Sequence, residues 1–94
     1  MSGTTRSSAG LDTRRRQILY RSWHRGMREM DLIMGRFADA AVATLDDAEI
    51  AAFEHLIELP DPQVLSWLMG EVPVPPEEDT PLFRRMRDFK PEMS

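Results

Sequence analysis

The chain has no cysteine, so it has no disulfide, no thiol nucleophile and no cysteine-built zinc site. Histidine is nearly as scarce: His24 and His55 are the two, and their spacing does not pair them around a metal. No stretch approaches the ~20 consecutive apolar residues of a membrane-spanning helix. Met1 to Gly10 is rich in serine, threonine and glycine and lacks the apolar block of a secretory signal. It reads as a disordered tail, which places the protein in a bacterial cytoplasm, or in a mitochondrial matrix if the source is eukaryotic. Internal repeats and the two-residue alternation of strands are missing too. What these gaps leave is a helical domain with no metal, no reactive thiol and no membrane anchor.

At 94 residues the chain is one domain, and a domain of that size buries only about 60–65% of its unfolded surface. Such a core leaves no room for a deep cofactor pocket together with its own catalytic machinery. Charged residues make up 30% and apolar ones 41%, the balance of a globular domain. The net charge of −4 hides a strong segregation. Residues 1–36 hold eight arginines and three acids, residues 37–83 hold eleven acids and no base, and the last eleven hold four bases and two acids. Eleven of the twelve bases are arginine, which favours paired or interfacial use over plain solvation. Two readings follow: a charged partner surface, or two basic ends packed on the acidic middle.

Helical spacing predicts five short helices and an all-α fold, a compact bundle. The first starts near Asp12, a good N-cap, and runs to about Arg25, with Leu11, Ile18, Leu19, Ser22 and Trp23 inward and Arg14, Arg15, Arg16 and Arg21 mostly outward. The second runs from about Met27 to Val42, burying Met30, Ile33, Met34, Phe37, Ala38 and Ala41. Gly35 inside it costs roughly 1 kcal/mol against alanine, which the close approach of a neighbouring helix or of a partner's backbone would explain. For the third, Asp46 with Glu49 fits a capping box and Leu45 with Ile50 a hydrophobic staple, with His55 on a solvated flank. The fourth is capped by Asp61, has Pro62 at its first position and ends before Gly70; it is either buried or shows Trp67 to a partner. Thr80 caps the fifth, with Pro81 first and Leu82, Phe83, Met86 and Phe89 inward. It hangs on a proline-rich linker and is expected to dock weakly or to move. The domain boundaries are a tail over 1–11, a single domain over 12–90 with the linker at 72–79, and a second tail over 91–94.

One stretch is not explained by the need for a core. Arg25-Gly26-Met27-Arg28-Glu29-Met30-Asp31 couples a glycine hinge to the first turn of the second helix. Gly26 falls where a helix C′ residue takes a left-handed conformation. Arg25 and Glu29 are spaced for an i, i+4 ion pair worth a few tenths of a kcal/mol. Alternatively, the glycine leaves a side-chain-free notch for a partner's backbone, bordered by Arg25, Glu29 and Asp31, whose charge-assisted hydrogen bonds set the register. The two carboxylates, two residues apart on a helix, project about 200° apart and cannot share a substrate atom. His24 lies on the far side of the glycine, and nothing offers a nucleophile with an orienting base. The chain reads as a non-enzyme.

The Arg-Gly-x-x-Glu-x-Asp pattern at 25–31, preceded by a basic helix and followed by Asp61-Pro62-Gln63-Val64-Leu65-Ser66-Trp67-Leu68, resembles the small FAD assembly factors of succinate dehydrogenase. The likeness covers residues 12 to 89. It implies a chaperone-like maturation factor of the tricarboxylic acid cycle that binds the flavoprotein subunit of succinate dehydrogenase or fumarate reductase. There it promotes covalent attachment of FAD to a client histidine. The chemistry is the client's, since that histidine attacks the 8α carbon of the flavin; the factor binds no FAD stably and acts by positioning. Gly26 takes the close-approach role, Arg25, Glu29 and Asp31 the polar register, and Met27 and Arg28 flank them. The free protein is expected to be a monomer with no nucleic-acid or membrane partner. A competing class stays open: a regulator that binds nucleic acid or a toxin through Arg14, Arg15, Arg16, Arg21, Arg25 and Arg28, with the first two helices drawn as a helix-turn-helix. The pI of about 5.1, and carboxylates aimed at phosphates, count against it.

Overall fold

Residues 10–89 are described by a computed structural model; 1–9 and 90–94, which hold most of the expected N-terminal tail and all of the C-terminal one, lie outside the described residues. The helices are α1 (Thr13–Ser22), α2 (Arg28–Ala41), α3 (Asp47–Ile57), α4 (Asp61–Leu68) and α5 (Pro81–Asp88), with 3₁₀ turns at Val42–Thr44 and Pro76–Glu78. No strand occurs among the described residues, so the all-α expectation holds. The core reaches back to Leu11, one residue before the expected domain edge. Among the described residues no helix is long and apolar enough to cross a membrane.

Asp12 caps α1 as its residue type predicts, accepting from the Arg15 amide at 2.8 Å. The helix ends at Ser22 rather than Arg25: the amides of Trp23 and His24 turn back to Tyr20 and Arg21 carbonyls, a tightened last turn that frees Arg25 to leave. The α1 arginines do not simply face water. Arg14 pairs with Glu54 at 2.7 Å and Arg21 with Glu58 at 2.8 Å, both on or just after α3. Arg15 donates to the carbonyls of Val42 and Leu45, closing the 3₁₀ turn, and Arg16 to that of Leu11. At the other end Arg85 reaches Glu49 at 2.6 Å. The charge segregation thus resolves inside the molecule, with basic ends on an acidic middle.

α2 packs against α1, α4 and α5. Met30, Met34, Phe37, Ala38 and Ala41 are buried as its spacing predicts, while Ile33 is half-buried. Gly35 has its explanation here. A Cβ on it would lie 2.4–2.8 Å from three ring carbons of Trp23, so the indole of the α1 C-cap rests on the bare α2 backbone. Its Nε1 donates to Asp39 at 3.1 Å. Both halves of the Asp46–Glu49 capping box form, and Leu45 and Ile50 are buried around it.

Two expectations need correction further along. The N-cap of α4 is Pro60, which puts Asp61 in the first turn with its carboxylate turned away from its own helix. Trp67 is buried, so of the two readings of this helix burial is the right one. Nor does α5 dock weakly. Leu82, Phe83 and Met86 are each 2% exposed or less, and Trp67 meets Phe83 edge to face with centroids 6.5 Å apart. The linker is also fastened, because His55, although exposed, places Nε2 2.9 Å from Glu78 in the second 3₁₀ turn.

Candidate partner-binding site

Residues 23–27 cross from α1 to α2 without regular structure, and two carboxylates hold them. Asp61 is presented by the first turn of α4, at the favourable end of the helix dipole for a carboxylate. Its Oδ1 accepts from Arg25 Nη2 at 2.7 Å and Nε at 3.0 Å, and its Oδ2 accepts from the Gly26 amide at 3.2 Å. Arg25 Nη2 also donates to the Ile57 carbonyl at 2.8 Å, the end of α3. From the other side Asp31, in the first turn of α2, accepts the Arg25 amide at 2.6 Å. The Arg25 and Asp61 side chains are each 10% exposed, a nearly buried ion pair. Breaking one half of such a pair costs about 3–5 kcal/mol, because the other charge is left buried alone.

The expected Arg25–Glu29 pair therefore does not form; Arg25 turns to a residue 36 positions away. Glu29 and Arg28 are exposed at the start of α2, and Met27 is half-buried against the core. Asp31 faces the loop backbone and Glu29 faces solvent, the divergence that their spacing on one helix requires. Gly26 is also not what was expected. Its φ is not in the left-handed region, and a Cβ built on it meets nothing within 4 Å. Neither backbone conformation nor packing within this chain requires a glycine there.

Of the six residues singled out in the sequence, the structure puts Arg25 and Asp31 in the loop's support and Gly26, Arg28 and Glu29 on its open side, with Met27 between. Asp61 was missed. Its position beside Pro62 at a helix start gave a sufficient local reason for an aspartate, so nothing pointed to Arg25. His24 stacks on the exposed Tyr20 ring, centroids 3.9 Å apart, and its Nδ1 meets the Tyr20 carbonyl at 2.6 Å. No cluster of histidine and acidic residues suited to a metal occurs among the described residues. A groove between α2 and α5, lined by Leu32, Ile33, Arg36, Met86 and Phe89, holds about 110 Å³, well short of the roughly 300–1,000 Å³ of ligand pockets.

Fold and site together define a class: a small all-α domain whose distinctive residues sit on an exposed loop, pinned from beneath, and on the first turn of the following helix. The chain belongs to the family described as flavinator of succinate dehydrogenase, whose family model matches residues 16–90. It is 41% identical over 76 residues to the FAD assembly factor SdhE of Acetobacter pasteurianus, covering 81% of this chain and 70% of that protein. It is 31% identical over 74 residues to the mitochondrial succinate dehydrogenase assembly factor 2 of Dictyostelium discoideum, covering 79% of this chain and 52% of that one. A mitochondrial assembly factor 2-A of Drosophila mojavensis is 33% identical over 79 residues, 82% of this chain and 50% of its own length. The chain thus spans about half the length of these mitochondrial relatives.

Proposed function

We propose that this protein is an assembly factor that binds the flavoprotein subunit of succinate dehydrogenase, or of fumarate reductase, and promotes covalent attachment of FAD to it. The observation that carries the site is Gly26: an exposed glycine, hydrogen-bonded through its amide to a nearly buried carboxylate, at a position where the fold has no use for a glycine. A backbone without a side chain on an open surface lets another backbone come close. Arg28 and Glu29 beside it supply one charge of each sign for charge-assisted hydrogen bonds to the client. Met27 borders this open side, and Arg25 and Asp31 hold the loop that presents it.

The factor contributes no catalytic group. FAD and the histidine that receives it belong to the client, and the factor raises the fraction of client molecules in which the two are aligned. It works as a monomer, in the bacterial cytoplasm or a mitochondrial matrix. The regulator alternative loses its footing, because Arg14, Arg15, Arg16 and Arg21 already face acids or carbonyls of this chain. The test is covalent flavin on the flavoprotein subunit, read as in-gel fluorescence after denaturation in cells with and without this protein. Loss of signal in its absence, restored by wild type and not by Glu29→Ala, is expected. Full flavin without the protein would refute the function, and full rescue by Glu29→Ala would refute the site.

A further inference from the structure

We infer that Asp61 and Arg25 form a latch that shapes the client-binding loop from beneath, so that Arg25 is a positioning residue and not a client contact. This rests on the reading of the loop as the client-binding site. The geometry is asymmetric. Asp61 Oδ1 takes the guanidinium and Oδ2 takes the Gly26 amide, so one carboxylate fixes both the arginine and the backbone of the next residue. The guanidinium is further tied to the last turn of α3 through the Ile57 carbonyl, and the Arg25 amide to Asp31 on α2. Three helices thus hold a loop that has no regular structure of its own. With the side chain only 10% exposed, a client could reach the guanidinium only by taking it from Asp61. The open side offers Gly26, Arg28 and Glu29 instead.

A latched loop is held in one shape before the client arrives. An unlatched loop samples several, and its apparent affinity falls by the fraction of time it spends in the competent one. Arg25 and Asp61 should then act as a unit, whose effects do not add. The experiment measures affinity for the purified flavoprotein subunit with Arg25→Gln, Asp61→Asn and the double variant, each corrected for folded fraction by helical circular dichroism. Hydrogen exchange at the Gly26 amide is followed in parallel. Each single variant is expected to weaken binding about tenfold. The double variant, which leaves no charge buried alone, should bind no worse than the weaker single and fold better than either. The Gly26 amide should exchange faster in all three while the core amides of α2 and α3 keep their protection.

Two results would overturn the latch. One is binding in Asp61→Asn equal to wild type despite faster exchange at Gly26. The other is a loss in Arg25→Gln well beyond that in Asp61→Asn, with the two adding in the double variant, which would make Arg25 a client contact. Should Asp61→Asn fail to fold, the double variant carries the test alone: wild-type affinity there refutes the latch. Failure of the wild type to bind the flavoprotein at all is a different outcome, since it removes the functional reading and the latch's role in it together.

Discussion

Replacing Gly35 by alanine would put a methyl carbon 2.4–2.8 Å from Cδ2, Cε2 and Cε3 of Trp23, well inside van der Waals contact. The indole cannot turn aside freely, because Nε1 is hydrogen-bonded to Asp39 at 3.1 Å and the residue is 8% exposed. Overpacking of this kind costs about 1–3 kcal/mol, and loss of the hydrogen bond to a carboxylate adds about 1–3 if the ring is pushed off it. Against this, alanine gains about 1 kcal/mol over glycine in a helix interior. These sum to about 0–2 kcal/mol if the ring keeps its hydrogen bond and about 1–5 if it loses it, so a net destabilisation centred on about 1–3 kcal/mol is expected. For a domain of this size each kcal/mol moves the melting temperature by about 4–8 °C, so a fall of roughly 5–20 °C is expected. Thermal and urea unfolding followed by circular dichroism would measure it. Combining Gly35→Ala with Trp23→Leu should recover part of the loss, because the smaller side chain makes room for the methyl; the two effects would then be non-additive. An unchanged or raised melting temperature for Gly35→Ala would refute the assignment of this glycine to the Trp23 contact.

Gly26 predicts the opposite pattern. Gly26→Ala should leave stability within about 0.5 kcal/mol, since its Cβ meets nothing, and Gly26→Arg should keep the helical spectrum while abolishing flavin attachment to the client; an unfolded Gly26→Arg would return this glycine to a structural role. Ser22 is fully buried with no partner for its hydroxyl, so Ser22→Ala should be neutral or stabilising by about 1 kcal/mol in urea unfolding, and a clear destabilisation would reveal a hydrogen bond to that oxygen. Stability should also fall in acid. Hydrogen bonds from Arg14 to Glu54, from Arg84 to Asp79 and from the Arg15 amide to Asp12 hold these carboxyls below their ordinary range. A folded-state value below the unfolded one means that the contribution is complete above the unfolded pKa and is lost as pH falls through the folded one. The melting temperature should be level from pH 7 to about 5 and drop below about pH 4, and a level profile to pH 3 would count against these pairs.

The fold was legible wherever the cause was local. Asp46 with Glu49, Thr80 with Pro81, and the apolar spacing of α2 are decided within a few residues, and each appears as its spacing requires. The errors lie where a side chain has two competent uses. Asp61 suits a helix cap, and Arg25 suits an i, i+4 partner in Glu29, yet each prefers the other across 36 positions, because that pairing buries both and also satisfies the Ile57 carbonyl and the Gly26 amide. Asp61 cannot serve both uses, and Pro60 precedes it as the cap residue. Gly35 was legible as a close approach but not as Trp23, since the approaching group depends on where α1 stops. That stop came three residues earlier than capping rules place it.

The same competition governs where a chain with so lopsided a charge distribution places its charges. The arginines of α1 and α5 and the acids around α3 attract one another, and the pairs they form are exposed ones of small individual worth. Their collective effect is to bring oppositely charged segments of the chain together. At the loop the Arg25–Asp61 pair is nearly buried, and what faces outward is a glycine flanked by one arginine and one glutamate. On the proposed reading, discrimination would fall at contact, through how closely another backbone can approach Gly26 and whether that partner's groups meet Arg28 and Glu29 in register. Recognition of that kind demands a loop of fixed shape, because a flexible one would give up at docking the free energy the contacts return. A deep ion pair beneath an open glycine meets that demand within a domain too small to enclose its partner.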